Sequence, residues 1–203
     1  MSALLKSRRY FTSPELMQLY KSQVLSYLES ATPAIFHAAP SHLELVDRVQ
    51  KRFLREIDIS EHDALECFRL APLCSRRCMA MLAILQRITL GIAPPQLKQM
   101  FPFAVQTARH VSTRLELLRH NKQLQEHVAS TDVFQRSLFG FVRVYNLLPQ
   151  SVVDAVTIHI FQRHLQDGLR RAAQARISRW PDLFSPVAPP LVVQEFQQML
   201  KSR

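Results

Sequence analysis

The chain has 203 residues, a formal net charge of +10 and a hydrophobic fraction of 47%, so it can form one sizeable core or two small ones. It contains 3 glycines and neither GxGxxG nor GxxxxGK(S/T), which argues against a glycine-rich nucleotide-binding loop. The apolar run Cys78–Leu85 is far shorter than the ~20 residues that span a bilayer. The charge favours an anionic partner (RNA, an anionic membrane surface or an acidic protein), with a solvated basic surface as the alternative.

Residues 1–12 have the composition of a mitochondrial targeting segment. They contain Lys6, Arg8 and Arg9 among hydroxyl and apolar residues, and no acidic residue precedes Glu15. Such a basic, hydroxylated and mildly amphipathic segment is typical of a presequence, and the membrane potential draws it inward. We therefore expect the mitochondrial matrix as the location; a basic disordered tail is the alternative.

Almost all of the remaining chain has helical periodicity, and the sequence predicts an all-α fold. The first helix is expected to begin with Ser13 as N-cap and Pro14 at its first position, and to continue to Ser30. A proline-containing loop, residues 31–40, should follow it. The predicted apolar face of this helix consists of Leu16, Leu19, Tyr20, Val24, Tyr27 and Leu28.

The second and third helices are predicted to complete an N-terminal bundle over residues 13–91. A capping box from Ser41 to Glu44 indicates the start of the second helix, which should run to about Ile57. Ser60 is expected to cap the third helix, which Pro72 interrupts before an apolar stretch ends near Gly91. The apolar stripe of the second helix is Val46, Val49, Phe53 and Ile57, and its basic surface is Arg48, Lys51, Arg52 and Arg55.

Residues 92–203 are predicted to form a basic helical extension after the linker Ile92–Gln96. We expect a long helix from Gln96 to about Val128, with a kink or early break at Pro102. An apolar and aromatic segment, a second long helix and a short final helix should follow, over 132–148, 151–178 and 191–201 respectively. No alternating pattern predicts a strand.

The sequence indicates neither an enzyme nor a metal site. Its 8 His and 16 acidic residues show no Ser/His/Asp or HExxH spacing. Cys74 and Cys78 are one helical turn apart, but no second Cys/His pair follows at zinc-site spacing, so buried free thiols are the better interpretation. We expect a non-enzymatic protein with no metal and no cofactor of its own.

Residues 13–91 resemble the LYR-motif family of small mitochondrial proteins. The triplet Leu19-Tyr20-Lys21 lies early in the first helix, with lysine where the family usually has arginine. The second helix is similar to the family's pattern of an apolar residue, nearby basic residues and a downstream phenylalanine, here Phe53. The run QLYKSQVLSYLES is also locally similar to the first helix of an LYR accessory subunit of respiratory complex I. Residues 93–203 match no family pattern.

The resemblance implies an adapter that binds mitochondrial acyl carrier protein. The acyl chain on the carrier's 4′-phosphopantetheine would then insert into the three-helix core, and each buried methylene would contribute ~0.8 kcal/mol. Basic residues would face the acidic carrier and set orientation and association rate. The residues expected to contact the carrier or its acyl chain are Leu19, Tyr20, Lys21, Val24, Val46, Arg48, Val49, Lys51, Arg52, Phe53 and Arg55.

A second basic surface is predicted on the helix near residues 159–180. Its arginines have a single acidic residue, Asp167, among them, and they suit a phosphate backbone or an acidic partner. We expect the adapter to dock the carrier on a mitochondrial ribosomal particle, with rRNA contact through this surface. An accessory or assembly role in complex I is the alternative. The arginines concerned are Arg163, Arg170, Arg171, Arg176 and Arg179.

Overall fold

The computed structural model describes residues 6, 9–30, 32–104, 120–127 and 131–187. Within these ranges the chain is helical and its only β-pairing is one isolated bridge, between Phe103 and Leu124, so the predicted all-α class is confirmed. None of the helices in the described ranges combines the length and the apolarity needed to cross a bilayer. Most of the targeting-like segment and the predicted helix 191–201 lie outside the described residues.

The chain divides into two compact units, residues 1–77 and 78–203. This division falls inside a helix and precedes the predicted linker Ile92–Gln96. The first unit contains α1 (Ser13–Leu19), a π-helical segment (Tyr20–Leu25), α2 (Ser26–Ser30), α3 (Thr32–Ile35), α4 (Pro40–Glu56), α5 (Glu61–Phe68) and the start of α6 (Leu73–Thr89). The second unit contains the rest of α6, then α7 (Pro95–Met100), α8 (Asp132–Gln135), α9 (Leu138–Asn146), α10 (Gln150–Val153), α11 (Ile158–Gln174) and a 3₁₀ turn (Trp180–Asp182).

The helix starts agree with the predictions in part. Ser60 does cap α5, because its Oγ accepts a hydrogen bond of 3.0 Å from the Asp63 backbone N–H. The N-cap of α1 is Thr12, not Ser13, and the Glu15 carboxylate accepts a 2.7 Å bond from the Thr12 backbone N–H. The prediction of a capping box that begins at Ser41 is wrong, because α4 begins one residue earlier, at Pro40, with Ala39 as its N-cap. Proline suits this first position because its missing N–H would have no partner inside the helix.

The π-helical segment changes which residues of the first helix are buried. Tyr27 was predicted on the apolar face but is 78% exposed, whereas Leu25 is buried. A π turn contains one residue more than an α turn. In an α-helix, each residue is rotated by about 100° around the helix axis relative to the residue before it. The extra residue therefore turns Leu25 and Leu28 back towards the face that carries Leu16 and Tyr20.

Two long helices predicted in the second unit are shorter in the structure. The helix expected from Gln96 to Val128 ends at Met100, before Pro102, and residues 101–104 and 120–127 are not helical. These two stretches pair instead, through Ala104 N–H to Gln123 O and Gln125 N–H to Pro102 O, both 2.9 Å. The helix expected from Ser151 begins only at Ile158, where the Thr157 hydroxyl caps it, and it ends at Gln174.

Each unit has its own apolar core. In the first unit, side chains of α1, the π segment and α4 pack with residues at and beyond the end of α5. In the second unit, Phe141 and Tyr145 of α9 and Phe161 of α11 have no exposed surface. The buried polar residue Gln86 is satisfied there, because it accepts from the Tyr145 hydroxyl at 2.7 Å and donates to the Val153 carbonyl at 2.9 Å.

Candidate functional site

The centre of the first unit is a stack of two aromatic rings. Tyr20, the first residue of the π segment, lies on Phe53 of α4 with ring centroids 4.3 Å apart and an interplanar angle of 9°. Both side chains are 0% exposed. The sequence predicted that these rings would line an acyl channel, and the structure stacks them on each other. Both rings are packed in a closed core, however, so a chain can reach them only if the packing around the stack opens.

Two polar atoms in this core have no hydrogen-bond partner among the described residues. They are the Tyr20 hydroxyl and the Gln50 Oε1 atom, whose amide nitrogen donates to the Ala71 carbonyl at 3.0 Å. Burial is the largest cause of a pKa of Tyr20 well above its usual value near 10, so the phenol stays protonated. An unsatisfied buried hydroxyl costs about 1–3 kcal/mol, which makes the closed core less stable than its apolar packing suggests.

Four other apolar residues were predicted to contact the carrier or its acyl chain, and all four are half-buried. Leu19, Val24 and Val46 are half-buried and pack against the core cluster, and Val49 is also half-buried. They are therefore closer to solvent than Tyr20 and Phe53.

Lys21 is separated from the other predicted basic residues. Its ammonium group is half-buried and donates a hydrogen bond to the Phe68 carbonyl at the end of α5. This contact satisfies a carbonyl that lacks a partner inside its own helix, and it places a cation at the negative end of the helix dipole. Burial, with Arg76 and Arg69 nearby, lowers the pKa of Lys21. Lys21 thus joins α5 to the π segment.

The four predicted basic residues of α4 form an exposed surface, here called the α4 basic face. Arg48, Arg52 and Arg55 follow the spacing of one helix face, and their side chains form no hydrogen bond or ion pair with any described residue. Lys51 is also exposed and lies 4.0 Å from a carboxylate oxygen of Glu61. Exposed guanidinium groups of this kind suit the surface of an acidic protein.

Sequence reasoning missed the charged groups that hold this site together. Glu29 of α2 accepts two hydrogen bonds from Arg76, and Asp47 of α4 accepts two from Arg77. Both arginines lie in the first two turns of α6. These two adjacent residues therefore bind α6 to α2 and to α4. A signal for this was present, because Arg76-Arg77 interrupts an otherwise apolar stretch, and buried arginines require acidic partners.

The five arginines predicted to form the second basic surface lie on and just beyond α11, in the second unit. Arg163 is exposed, and Arg170 and Arg171 are half-buried. Arg176 and Arg179 follow the helix, are exposed, and have φ angles of 53° and 64°. Arg179 pairs with Asp182 at 3.0 Å.

The described residues contain no group of three or more His, Cys, Asp or Glu placed to hold a metal ion. Cys67 is exposed, Cys74 is half-buried and Cys78 is buried, all three as free thiols. No protein-family model matches the chain, and comparisons with curated proteins and with solved structures gave no significant match.

Proposed function

We propose that this protein is a non-enzymatic LYR-type adapter that binds mitochondrial acyl carrier protein and docks it on a larger mitochondrial assembly. The observation that carries the proposal is the Tyr20–Phe53 stack, which joins the LYK triplet to the helix with the basic face. The α4 basic face would receive the acidic carrier. The core beside it would receive the acyl chain.

The core must open for this function, and two features reduce the cost of opening. The π segment replaces α-helical hydrogen bonds with a rarer pattern that is frequent at functional sites. The Tyr20 hydroxyl and Gln50 Oε1 have no hydrogen-bond partner among the described residues, so movement of α4 breaks no such bond there. The entering chain supplies ~0.8 kcal/mol for each methylene that leaves water, so a long chain offsets several kcal/mol of opening.

Co-expression with acyl carrier protein tests the adapter role. We expect the purified complex to contain the acylated carrier by intact mass spectrometry, and a carrier that cannot accept phosphopantetheine to be lost from it. The variant R48E/R52E should slow association measured by biolayer interferometry, whereas R87E/K98E, with the same charge change at exposed residues outside α4, should not. Absence of the acylated carrier from the wild-type preparation would overturn the proposal.

Depletion in cells identifies the host assembly. We favour a mitochondrial ribosomal particle, because the basic residues of α11 suit contact with RNA. In that case loss of the protein alters the ribosomal subunit profile on a density gradient. Loss of complex I on native gels with an unchanged ribosomal profile would favour the respiratory alternative.

A further inference from the structure

An exposed tripeptide, Arg9-Tyr10-Phe11, lies directly before the N-cap of α1. Arg9 is exposed, Tyr10 is 84% exposed and Phe11 is 43% exposed. The side chains of all three form no hydrogen bond or ion pair with any described residue. The tripeptide is therefore accessible to another protein, and exposed stretches beside a folded unit are preferred sites of proteolysis.

Thr12 is the first residue that described contacts tie to α1. Its backbone N–H and its hydroxyl both donate to the Glu15 Oε2 atom, at 2.7 and 2.8 Å. Its carbonyl accepts from the Leu16 N–H at 2.9 Å, and Pro14 follows as the second residue of the helix. Hydrolysis at any later bond would remove Thr12 from the helix it caps. The Phe11–Thr12 bond is therefore the last one that can be cut with the cap intact.

We propose that an endopeptidase of the mitochondrial matrix hydrolyses the Phe11–Thr12 bond and recognises Arg9 and Phe11. The inference rests on the mitochondrial location in the proposed function and is independent of carrier binding. An acidic subsite of the enzyme would pair with the Arg9 guanidinium. An apolar subsite would hold the Phe11 ring, since pockets of matched chemistry set the specificity of proteases.

The reaction needs only water as co-reactant. Water adds to the Phe11 carbonyl carbon and the C–N bond breaks, so that Phe11 ends in a carboxylate and Thr12 begins with an ammonium group at neutral pH. The segment that leaves carries Lys6, Arg8 and Arg9. The folded part thus loses the cations that suit a targeting segment and keeps the α4 basic face.

The new N-terminus would lie beside a carboxylate. The nitrogen that becomes the ammonium group is the Thr12 nitrogen, which is already 2.7 Å from Glu15 Oε2. The hydrogen bonds from the Thr12 backbone and hydroxyl lower the pKa of Glu15, so this carboxylate is ionised at neutral pH. A cation at a helix N-terminus is unfavourable by itself, but a charge-assisted hydrogen bond to Glu15 offsets that cost.

Incubation of the purified full-length protein with a solubilised extract of mitochondrial matrix tests the site. Intact mass spectrometry and N-terminal sequencing should find a product that begins at Thr12. R9Q should slow the cleavage by about tenfold or more, as expected for loss of one hydrogen bond to a charged group. R8Q removes the same charge from the adjacent residue and should leave the rate unchanged.

F11A and Y10A form a second matched pair, because each removes one exposed aromatic ring. Only F11A should slow the cleavage. A chain that stays intact in the extract would overturn the inference, and so would a product cut after Arg8 or Arg9. Equal rates for R9Q and R8Q would also overturn it, because the enzyme would then not recognise Arg9.

Melting temperatures of the cleaved proteins test the role given to Glu15. The cleaved wild type should melt at the temperature of the uncleaved chain. E15Q should lose stability on cleavage, because a neutral amide does not compensate the new ammonium group at the helix N-terminus. Equal losses for the wild type and E15Q would overturn that role.

Import into isolated mitochondria separates this inference from the proposed function. Full-length protein recovered from the matrix would overturn the cleavage and leave the adapter role intact. Failure of the protein to enter the organelle would overturn the location and this inference together. Cleavage at Thr12 with no acylated carrier in the co-purification would support this inference and overturn the adapter role alone.

Discussion

Arg77 holds Asp47 through two parallel hydrogen bonds, from Nη1 to Oδ1 at 2.6 Å and from Nη2 to Oδ2 at 2.9 Å. Both side chains are largely buried, with 7% of Arg77 and 18% of Asp47 exposed. The planar guanidinium matches the carboxylate in a way that a lysine ammonium does not. Since Asp47 belongs to α4, this pair fixes the helix that carries Phe53 and the α4 basic face.

Replacing Arg77 alone is expected to destabilise the first unit strongly. R77M leaves the Asp47 carboxylate in a mostly buried place without its partner, which costs about 3–5 kcal/mol. Urea denaturation followed by circular dichroism measures the change. The double variant D47L/R77M removes both charges and should recover most of the loss. A double variant as unstable as R77M would show that the packing of Arg77, not its charge, is what matters.

The two buried tyrosines should respond in opposite ways to removal of the hydroxyl. Y20F removes a hydroxyl that has no partner among the described residues, so it should raise the free energy of unfolding by about 1 kcal/mol. Y145F removes the 2.7 Å hydrogen bond to Gln86 Oε1 and leaves that oxygen buried, which should cost about 1–3 kcal/mol. Urea denaturation measures both variants, and equal losses would contradict the structural difference between the sites.

A carrier-binding measurement on the same Y20F variant tests whether the unsatisfied hydroxyl of Tyr20 helps the core to open for the acyl chain. If acyl-chain entry uses the low cost of opening around Tyr20, Y20F should bind the acylated carrier more weakly despite its greater stability. Binding equal to that of the wild type would mean that the hydroxyl plays no part in opening.

His120 should make the second unit sensitive to mild acid. Its Nε2 donates to the Tyr145 carbonyl at 3.0 Å, and its Nδ1 accepts from the Lys122 backbone N–H at 3.1 Å. Protonation of Nδ1 would break the second bond, and burial lowers the pKa of His120 below its usual value near 6.5. The unfolded chain therefore binds a proton that the folded chain does not, and stability present above about pH 6.5 is lost as the pH falls.

The comparison of melting temperatures at pH 7.5 and 5.5 tests this expectation for His120. The wild type should lose more on acidification than H120Q, in which the amide keeps a donor and an acceptor without titrating. H159Q serves as a control because His159 is exposed, and its loss should equal that of the wild type. Identical losses in the wild type and H120Q would contradict a neutral buried His120.

The sequence predicted the all-α class and the Ser60 cap because these depend on local chemistry. Ser60 caps α5 through a hydroxyl and a backbone N–H three residues away, an interaction that short-range spacing determines. The pairing of Tyr20 with Phe53 was also predictable, since both lie on apolar faces of adjacent helices. Arg48, Arg52 and Arg55 were predicted at the surface for the same reason, by their place on the polar side of an amphipathic helix.

The features that the sequence did not predict depend on contacts between distant residues. Nothing near Lys21 indicates that its ammonium would bond to the Phe68 carbonyl, which is 47 residues away. The pairing of Glu29 with Arg76 spans the same separation. The burial of Leu25 in place of Tyr27 required a π turn, and helical periodicity assumes that no such turn occurs. The division of the chain within α6 likewise follows from packing and not from the prolines after Ile92.

The π segment has a consequence for changes in chain length. It accommodates one residue more than an α-helix of the same span, and two of its members, Ser22 and Gln23, are exposed. Deleting either one should convert the segment to ordinary α-helix while Leu16, Tyr20, Leu25 and Leu28 keep a common face, and the melting temperature should fall little. The turn that begins with Tyr20 can therefore gain or lose one residue in evolution. The identity of Tyr20 is less free, because a small residue in its place would leave a cavity in the core.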